Sequence, residues 1–143
     1  MKKTILTALA AITMMLTISC NKFDIPGTRW QGTAAGQVSM GGFDATIGSH
    51  DTLTFTSETA GNLVQRPFSE AFGMVTDGES TTTNFTYTFD GSEGTITFNQ
   101  KRHPFSYNSK RKELTLQIIT PGEEGYDEYI QTFSKPEVSF KMY

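Results

Sequence analysis

The chain has 143 residues, with 12 Lys and Arg, 15 Asp and Glu, and a formal net charge of −3. A slightly acidic chain has no general attraction for nucleic acid or for anionic lipid, so neither partner is predicted from charge. The length suits a single domain. Aromatic residues are frequent (11 Phe, 5 Tyr and 1 Trp), and with abundant Thr and Gly they favour strands over helices.

The chain begins with the layout of a signal peptide. Lys2 and Lys3 precede an apolar and small-residue run over residues 4–19, and polar sequence follows at once. The run is too short and too abruptly ended for a membrane span, so we expect residues 1–19 to be removed. The remaining 124 residues carry ten basic and 15 acidic side chains. Cys20 is the only cysteine, so the domain has no disulfide framework.

The cleavage region places Ser19 at −1 and Ile18 at −2 before Cys20. It resembles the lipobox of bacterial lipoproteins, although Thr17 replaces the usual branched aliphatic residue at −3, as in looser boxes of Bacteroidetes-type lipoproteins. The resemblance implies lipidation of Cys20 by diacylglycerol and an amide-linked chain such as palmitate, and hence attachment to a membrane of the cell envelope. An ordinary secretory signal is the alternative. Asn21 at +2 is not the Asp that retains lipoproteins at the inner membrane, so the outer membrane is favoured.

After Cys20 the sequence predicts a tether over residues 20–26 and one β domain over residues 27–143. Alternating apolar and polar residues between turn signals predict eight to ten short strands. These lie at 28–38, 43–47, 51–57, 63–68, 82–90, 95–100, 105–108, 113–119, 126–134 and 138–143.

Residues 69–81 are predicted to form a loop with at most one helical turn near residues 70–72, and the last strand is predicted to lie at an edge. A meander of this many strands must hide its edges. We therefore expect an all-β, antiparallel up-and-down barrel of about eight strands, with a two-sheet sandwich as the alternative.

Two short motifs bracket the domain: Gly27-Thr28-Arg29-Trp30 at its start and Phe133-Ser134-Lys135 near its end. They resemble the opening and closing elements of small lipocalin-like lipoproteins of Bacteroidetes-type bacteria. The resemblance implies a barrel in which Trp30 packs across the closed end and Lys135 supplies the cation above it.

The inward faces of several predicted strands are aromatic. Such a face can line a cavity for an apolar ligand or fill a solid core, and an eight-stranded barrel is just wide enough for either. The residues predicted to line a cavity are Phe55, Phe85, Tyr87, Phe89, Phe98 and Phe105.

No catalytic motif, cofactor motif or zinc spacing is present in the sequence. His50 and Asp51 are adjacent on a strand, so their side chains should face opposite ways and form no catalytic pair. His103 lies among basic residues that could hold a small anion, although solvated loop charge is the simpler interpretation. Residues 90–94 are interpreted as a hairpin turn and not a calcium loop. Glu123, Glu124, Asp127 and Glu128 crowd one turn and are interpreted as a solvated acidic loop.

Three functions are compatible with these observations. The first is a lipid-anchored binding module for a small hydrophobic ligand. The second is an accessory interaction protein of an envelope complex, with a solid core and an exposed apolar patch near residues 69–81. The third, an enzyme acting at the acidic turn, is placed last because no convergent titratable groups are evident.

Overall fold

A computed structural model describes residues 23–143. The predicted signal peptide, the predicted lipidation site Cys20 and residues 21–22 lie outside the described residues. The strands are β1 (Arg29–Met40), β2 (Phe43–Phe55), β3 (Ala60–Ala71), β4 (Met74–Asp77), β5 (Thr81–Phe89), β6 (Glu93–Phe98), β7 (Lys101–Asn108), β8 (Glu113–Gln117) and β9 (Glu137–Met142). A helix, α1 (Tyr126–Phe133), precedes β9.

Eight of the nine strands close into an antiparallel barrel. The ring runs β1, β2, β3, β5, β6, β7, β8 and β9, and β9 pairs back onto β1 with Phe140 opposite Gly32. Strand β4 stays outside the ring and pairs with the far end of β3. The predicted meander and closed barrel are confirmed, and β9, predicted as an edge strand, is the strand that completes the ring.

The core lies inside the barrel and is built by the alternation of the strands. The buried, inward-facing residues of β2 include Asp51, Leu53 and Phe55. Those of β5 are Phe85 and Tyr87. Successive strand residues point to opposite faces, so a period of two in the sequence becomes one apolar interior.

One end of the barrel is closed by the segment that enters β1. Ile25 is buried, and its carbonyl oxygen accepts a hydrogen bond from the Thr28 hydroxyl at 2.6 Å. The same hydroxyl oxygen accepts the indole N–H of Trp30 at 2.8 Å. Phe23 stacks on Tyr107 at 4.2 Å between ring centroids. Residues 23–26, predicted as tether, are therefore packed against the barrel.

Strand β2 runs without the break predicted at residues 48–50. A Cβ atom at Gly48 would overlap the carbonyl oxygen of Ala34 and lie 2.9 Å from the Phe68 ring. Gly48 therefore permits a close cross-strand approach and does not mark a turn.

Residues 69–77 form a hairpin where a loop was predicted, and residues 78–80 connect it to β5. Strand β3 extends to Ala71, and Phe72 and Gly73 form a two-residue turn with φ values of 54° and 74° before β4. Two positive φ angles are what a type I′ hairpin turn requires. The turn was not predicted because its first position is usually Asn, Asp or Gly, whereas here it is the bulky residue Phe72.

Residues 126–134 were predicted as a strand, and this prediction is wrong: residues 126–133 are helix α1. The helix begins after Gly125 and ends where the Ser134 N–H donates to the Ile130 carbonyl oxygen at 2.9 Å. Its apolar residues recur at positions i, i+3, i+4 and i+7, the spacing of one helical face. They are Tyr126, Tyr129, Ile130 and Phe133.

Candidate functional site

A partly open chamber of about 380 Å³ lies beneath helix α1, among β1, β2, β3 and β9. Its volume is within the range of small-molecule sites in proteins. Most of its lining side chains are apolar: Ala34, Ile47, Pro67, Phe68, Ile118, Phe133 and Val138.

Asp51 is the charged residue of the chamber lining. Asp51 faces inward from β2, where it lies opposite Gly32 of β1 and Gln65 of β3. Only 3% of its surface is exposed. Its Oδ1 atom has no hydrogen-bond partner within residues 23–143. A buried carboxylate oxygen without a partner is costly, so this atom requires an explanation.

The environment of Asp51 raises the pKa of its carboxyl group above 3.8. Burial is the largest cause, because it disfavours the charged form. The side chains of Ser49 and Gln65 and the charge of His50 oppose the shift without reversing it. The chamber therefore holds an incompletely stabilised acid.

Helix α1 supplies the wall facing Asp51. The Tyr129 ring lines the chamber, and burial and the Asp51 charge raise the pKa of its phenol. Tyr129 stacks on Phe133 with 4.7 Å between ring centroids. The helix sits against β1 at Gly36, where a Cβ atom would overlap the Thr132 carbonyl oxygen. Glycine at this position therefore allows the helix to approach the barrel closely enough to cover the chamber.

The two histidines occupy different strands. His50 is exposed on β2, stacks on Phe68 at 4.6 Å and has its Nδ1 atom 3.2 Å from the Thr33 hydroxyl. The prediction that His50 and Asp51 face opposite ways is confirmed.

His103 lies inside β7, not on a loop. It is buried, with Nδ1 3.1 Å from the Gln117 carbonyl oxygen and its ring 4.1 Å from that of Phe98. Its neighbours Lys101 and Arg102 are exposed. The ring is therefore held in the barrel interior, apart from the basic side chains beside it in the sequence.

The six aromatic residues predicted to line a cavity lie elsewhere. Four of them pack together in the core, where the Phe55 ring is 5.5 Å from Phe85, 4.8 Å from Tyr87 and 5.8 Å from Phe105. Phe89 stacks on Phe105 at 5.4 Å, and Phe98 stacks on His103. None of the six lines the chamber over Asp51. Their own role in ligand binding stays a prediction.

Trp30 and Lys135 are separated along the barrel. Trp30 is fully buried at the closed end, where it lies opposite Met142 of β9. Lys135 precedes β9 by two residues and lines a groove next to the chamber with Thr33 and Ala35. Trp30 and Lys135 therefore lie near opposite ends of β9, and the roles that the resemblance implies for them stay predictions.

The acidic residues near residue 123 are mostly exposed. Glu124 lies in the loop before α1, and Asp127 and Glu128 lie in the first turn of the helix. Glu123 accepts a hydrogen bond from the Thr120 N–H at 3.2 Å and lies 3.9 Å from the Lys101 ammonium. Across residues 23–143 no group of three or more His, Cys, Asp or Glu residues could hold a metal ion.

A second surface feature is formed by the tips of two hairpins, residues 40–43 of β1–β2 and residues 72–75 of β3–β4. Met40, Phe43, Met74 and Val75 are exposed, and Phe72 is 75% exposed. The rings of Phe43 and Phe72 are 5.2 Å apart, so the two tips lie side by side. We call residues 40–43 and 72–75 the apolar tips.

Comparison with protein-family models, curated proteins and solved structures gave no significant match. The described part of the chain contains no helix long and apolar enough to cross a membrane. Functional inference therefore depends on the residues of the chamber and of the apolar tips.

The sequence analysis did not predict the chamber, because it selected aromatic residues as the candidate ligand-binding residues. The available signal was Asp51 itself, which shares the inward face of its strand with Leu53 and Phe55. An acid at an apolar position of an alternating strand is rare enough to mark a site.

Proposed function

We propose that this chain is a lipid-anchored binding protein of the cell envelope, with a lipocalin-like barrel that holds a small, mainly apolar molecule. The observation that carries the proposal is the chamber: an apolar cavity with one buried, incompletely paired carboxyl group. Natural ligand sites combine an apolar lining with a few polar groups that orient the ligand. We assign the protein no catalytic role and no cofactor.

The predicted anchor at Cys20 supports an orientation for the barrel. Phe23 is packed at the closed end and follows Cys20 by three residues, a reach of at most about 11 Å. Along β1, the chamber-lining residue Ala34 lies four residues beyond Trp30, a rise of about 13 Å. A lipidated Cys20 would keep the closed end close to the bilayer and leave the chamber accessible from the aqueous side.

The binding proposal is tested by filling the chamber. Ala34 lines it, whereas the next residue, Ala35, is exposed on the outer face of β1. We expect native mass spectrometry of protein purified from membranes to detect a bound lipophilic molecule. The Ala34→Phe variant should lose this molecule and the matched Ala35→Phe variant should keep it. Equal occupancy in both variants would place the ligand elsewhere, and an unoccupied wild-type protein would count against the proposal.

The anchor is tested separately. Cells labelled with a palmitate analogue should incorporate it into the wild-type chain and not into a Cys20→Ser variant, and the wild-type chain should fractionate with the outer membrane. A processed but unlabelled wild-type chain would favour the ordinary secretory signal.

The apolar tips favour a second candidate function, an interaction protein of an envelope complex. Exposed apolar side chains grouped on one surface are typical of protein interaction sites. Cross-linking in native membranes should then capture a protein partner that is lost in a Phe43→Ser, Phe72→Ser double variant. Recovery of the monomer alone would count against this function.

A further inference from the structure

The unpaired carboxylate oxygen of Asp51 identifies the kind of ligand that the chamber would take. Oδ1 is buried and has no partner in the described chain, so a bound molecule that donates a hydrogen bond there would remove a desolvation penalty. An apolar molecule without a donor would leave that penalty in place.

No cationic side chain among residues 23–143 forms a hydrogen bond with this oxygen. The chamber lining contains no Lys or Arg, and its titratable groups are Asp51 and Tyr129. Arg66 follows Gln65 on β3 but is exposed, and the exposed His50 lies on the outer face of β2. Lys135 lines the adjoining groove, which shares Tyr129 and Phe133 with the chamber, but it is exposed and is not part of the chamber lining. A positive charge inside the chamber would therefore come from the ligand.

The remaining lining favours a charged amine over a neutral donor. Tyr129, Phe133 and Phe68 line the same chamber as Asp51. Aromatic faces attract ammonium groups, and a carboxylate accepts a stronger hydrogen bond from an ammonium than from a hydroxyl. Carboxylate and aromatic rings together are the chemistry by which proteins recognise alkylammonium groups.

We propose that the ligand of the chamber is a small apolar molecule bearing a protonated amine, with the ammonium N–H donating to Asp51 Oδ1 and the apolar part lying against helix α1. The proposal rests on the binding function above and specifies its substrate class.

The test uses three matched probes: 2-phenylethylamine, its neutral analogue 2-phenylethanol, and the anion 3-phenylpropionate. Binding is measured by titration calorimetry on the full chain, prepared in lipid nanodiscs, with empty nanodiscs as the blank. We expect the amine to bind the wild-type protein about tenfold more tightly than the alcohol, and the anion to bind most weakly.

The Asp51→Asn variant keeps the shape of the side chain and removes its charge. It should bind the amine and the alcohol with similar affinity, whereas Asp77→Asn, on the exposed strand β4, should keep the wild-type preference. Circular dichroism checks that both variants are folded.

The outcomes separate this inference from the function on which it rests. Equal binding of amine and alcohol by the wild-type protein would overturn ammonium recognition and leave an apolar binding site in place. A preference for the amine that persists in Asp51→Asn would place the recognition at another group and would equally overturn the inference. Failure of all three probes, together with an unoccupied purified protein, would overturn both proposals.

Discussion

Replacing Asp51 with asparagine should stabilise the ligand-free protein at neutral pH. The carboxylate is buried beside apolar side chains, and its Oδ1 atom has no partner within the described residues. Removing an unsatisfied buried charge is worth about 1–3 kcal/mol. For a domain of this size, that corresponds to an increase in Tm of roughly 4–12 °C.

The raised pKa of Asp51 determines the direction in which the stability of the wild-type protein changes with pH. Because the folded pKa of Asp51 is raised above 3.8, the folded state holds more protons than the unfolded state between 3.8 and the folded value. Wild-type stability should therefore fall as the pH rises through that window. Below it, both states are protonated and the advantage of Asp51→Asn should disappear.

Thermal unfolding followed by circular dichroism at pH 3, 5 and 7 measures this difference. Asp77→Asn is the matched control, since this aspartate is exposed on β4, and its Tm should stay close to wild type at each pH. The reasoning would be refuted if Asp51→Asn lowered the Tm at pH 7, or if its effect were the same at pH 3 and pH 7.

Three further predictions concern the rest of the barrel. Gly36→Val should push helix α1 outward and destabilise the fold by about 1–3 kcal/mol, seen as faster amide exchange in the helix. Phe23→Ala should cost about 2–4 kcal/mol in chemical denaturation, since its ring contacts Trp30 and two other aromatic rings. Glu113→Gln removes the 2.7 Å pair with Lys141, which lowers the Glu113 pKa; its cost at pH 7 should be under about 1 kcal/mol and should vanish as the pH falls below 4.5. For each variant, a stability or amide-exchange rate equal to that of the wild-type protein would contradict the role assigned to the replaced residue.

Most of the barrel could be predicted because its strands alternate and its turns use glycine. The inward positions of Leu53, Phe55 and Phe85 follow from a period of two, and the closed meander follows from short connections and the need to hide edges. The exceptions have local causes. The sequence predicts a break between strands at residues 48–50, whereas Gly48 permits close packing inside a continuous strand. Residues 126–133 were interpreted as a strand although their apolar spacing is helical.

The chamber could not be predicted because it depends on where separate segments meet. Asp51 and Gln65 become neighbours only through the β2–β3 register, and Tyr129 reaches the chamber only because α1 seats on Gly36. A single strand shows that Asp51 faces inward, but it does not show whether a partner faces it. That information comes from the assembled barrel.

The division of the barrel into two halves explains how the fold tolerates Asp51. The closed half contains the fully buried side chains of Trp30 and Phe55, and the Phe23 ring packs against Trp30. The half beneath α1 instead holds an acid whose neighbours stabilise it incompletely. Proteins keep such costly groups mainly where function uses them, because apolar residues of similar shape would make the fold more stable. If the Asp51→Asn variant is more stable than the wild-type protein and binds amines less selectively, then the buried carboxylate of Asp51 both lowers the stability of the fold and provides the proposed binding function.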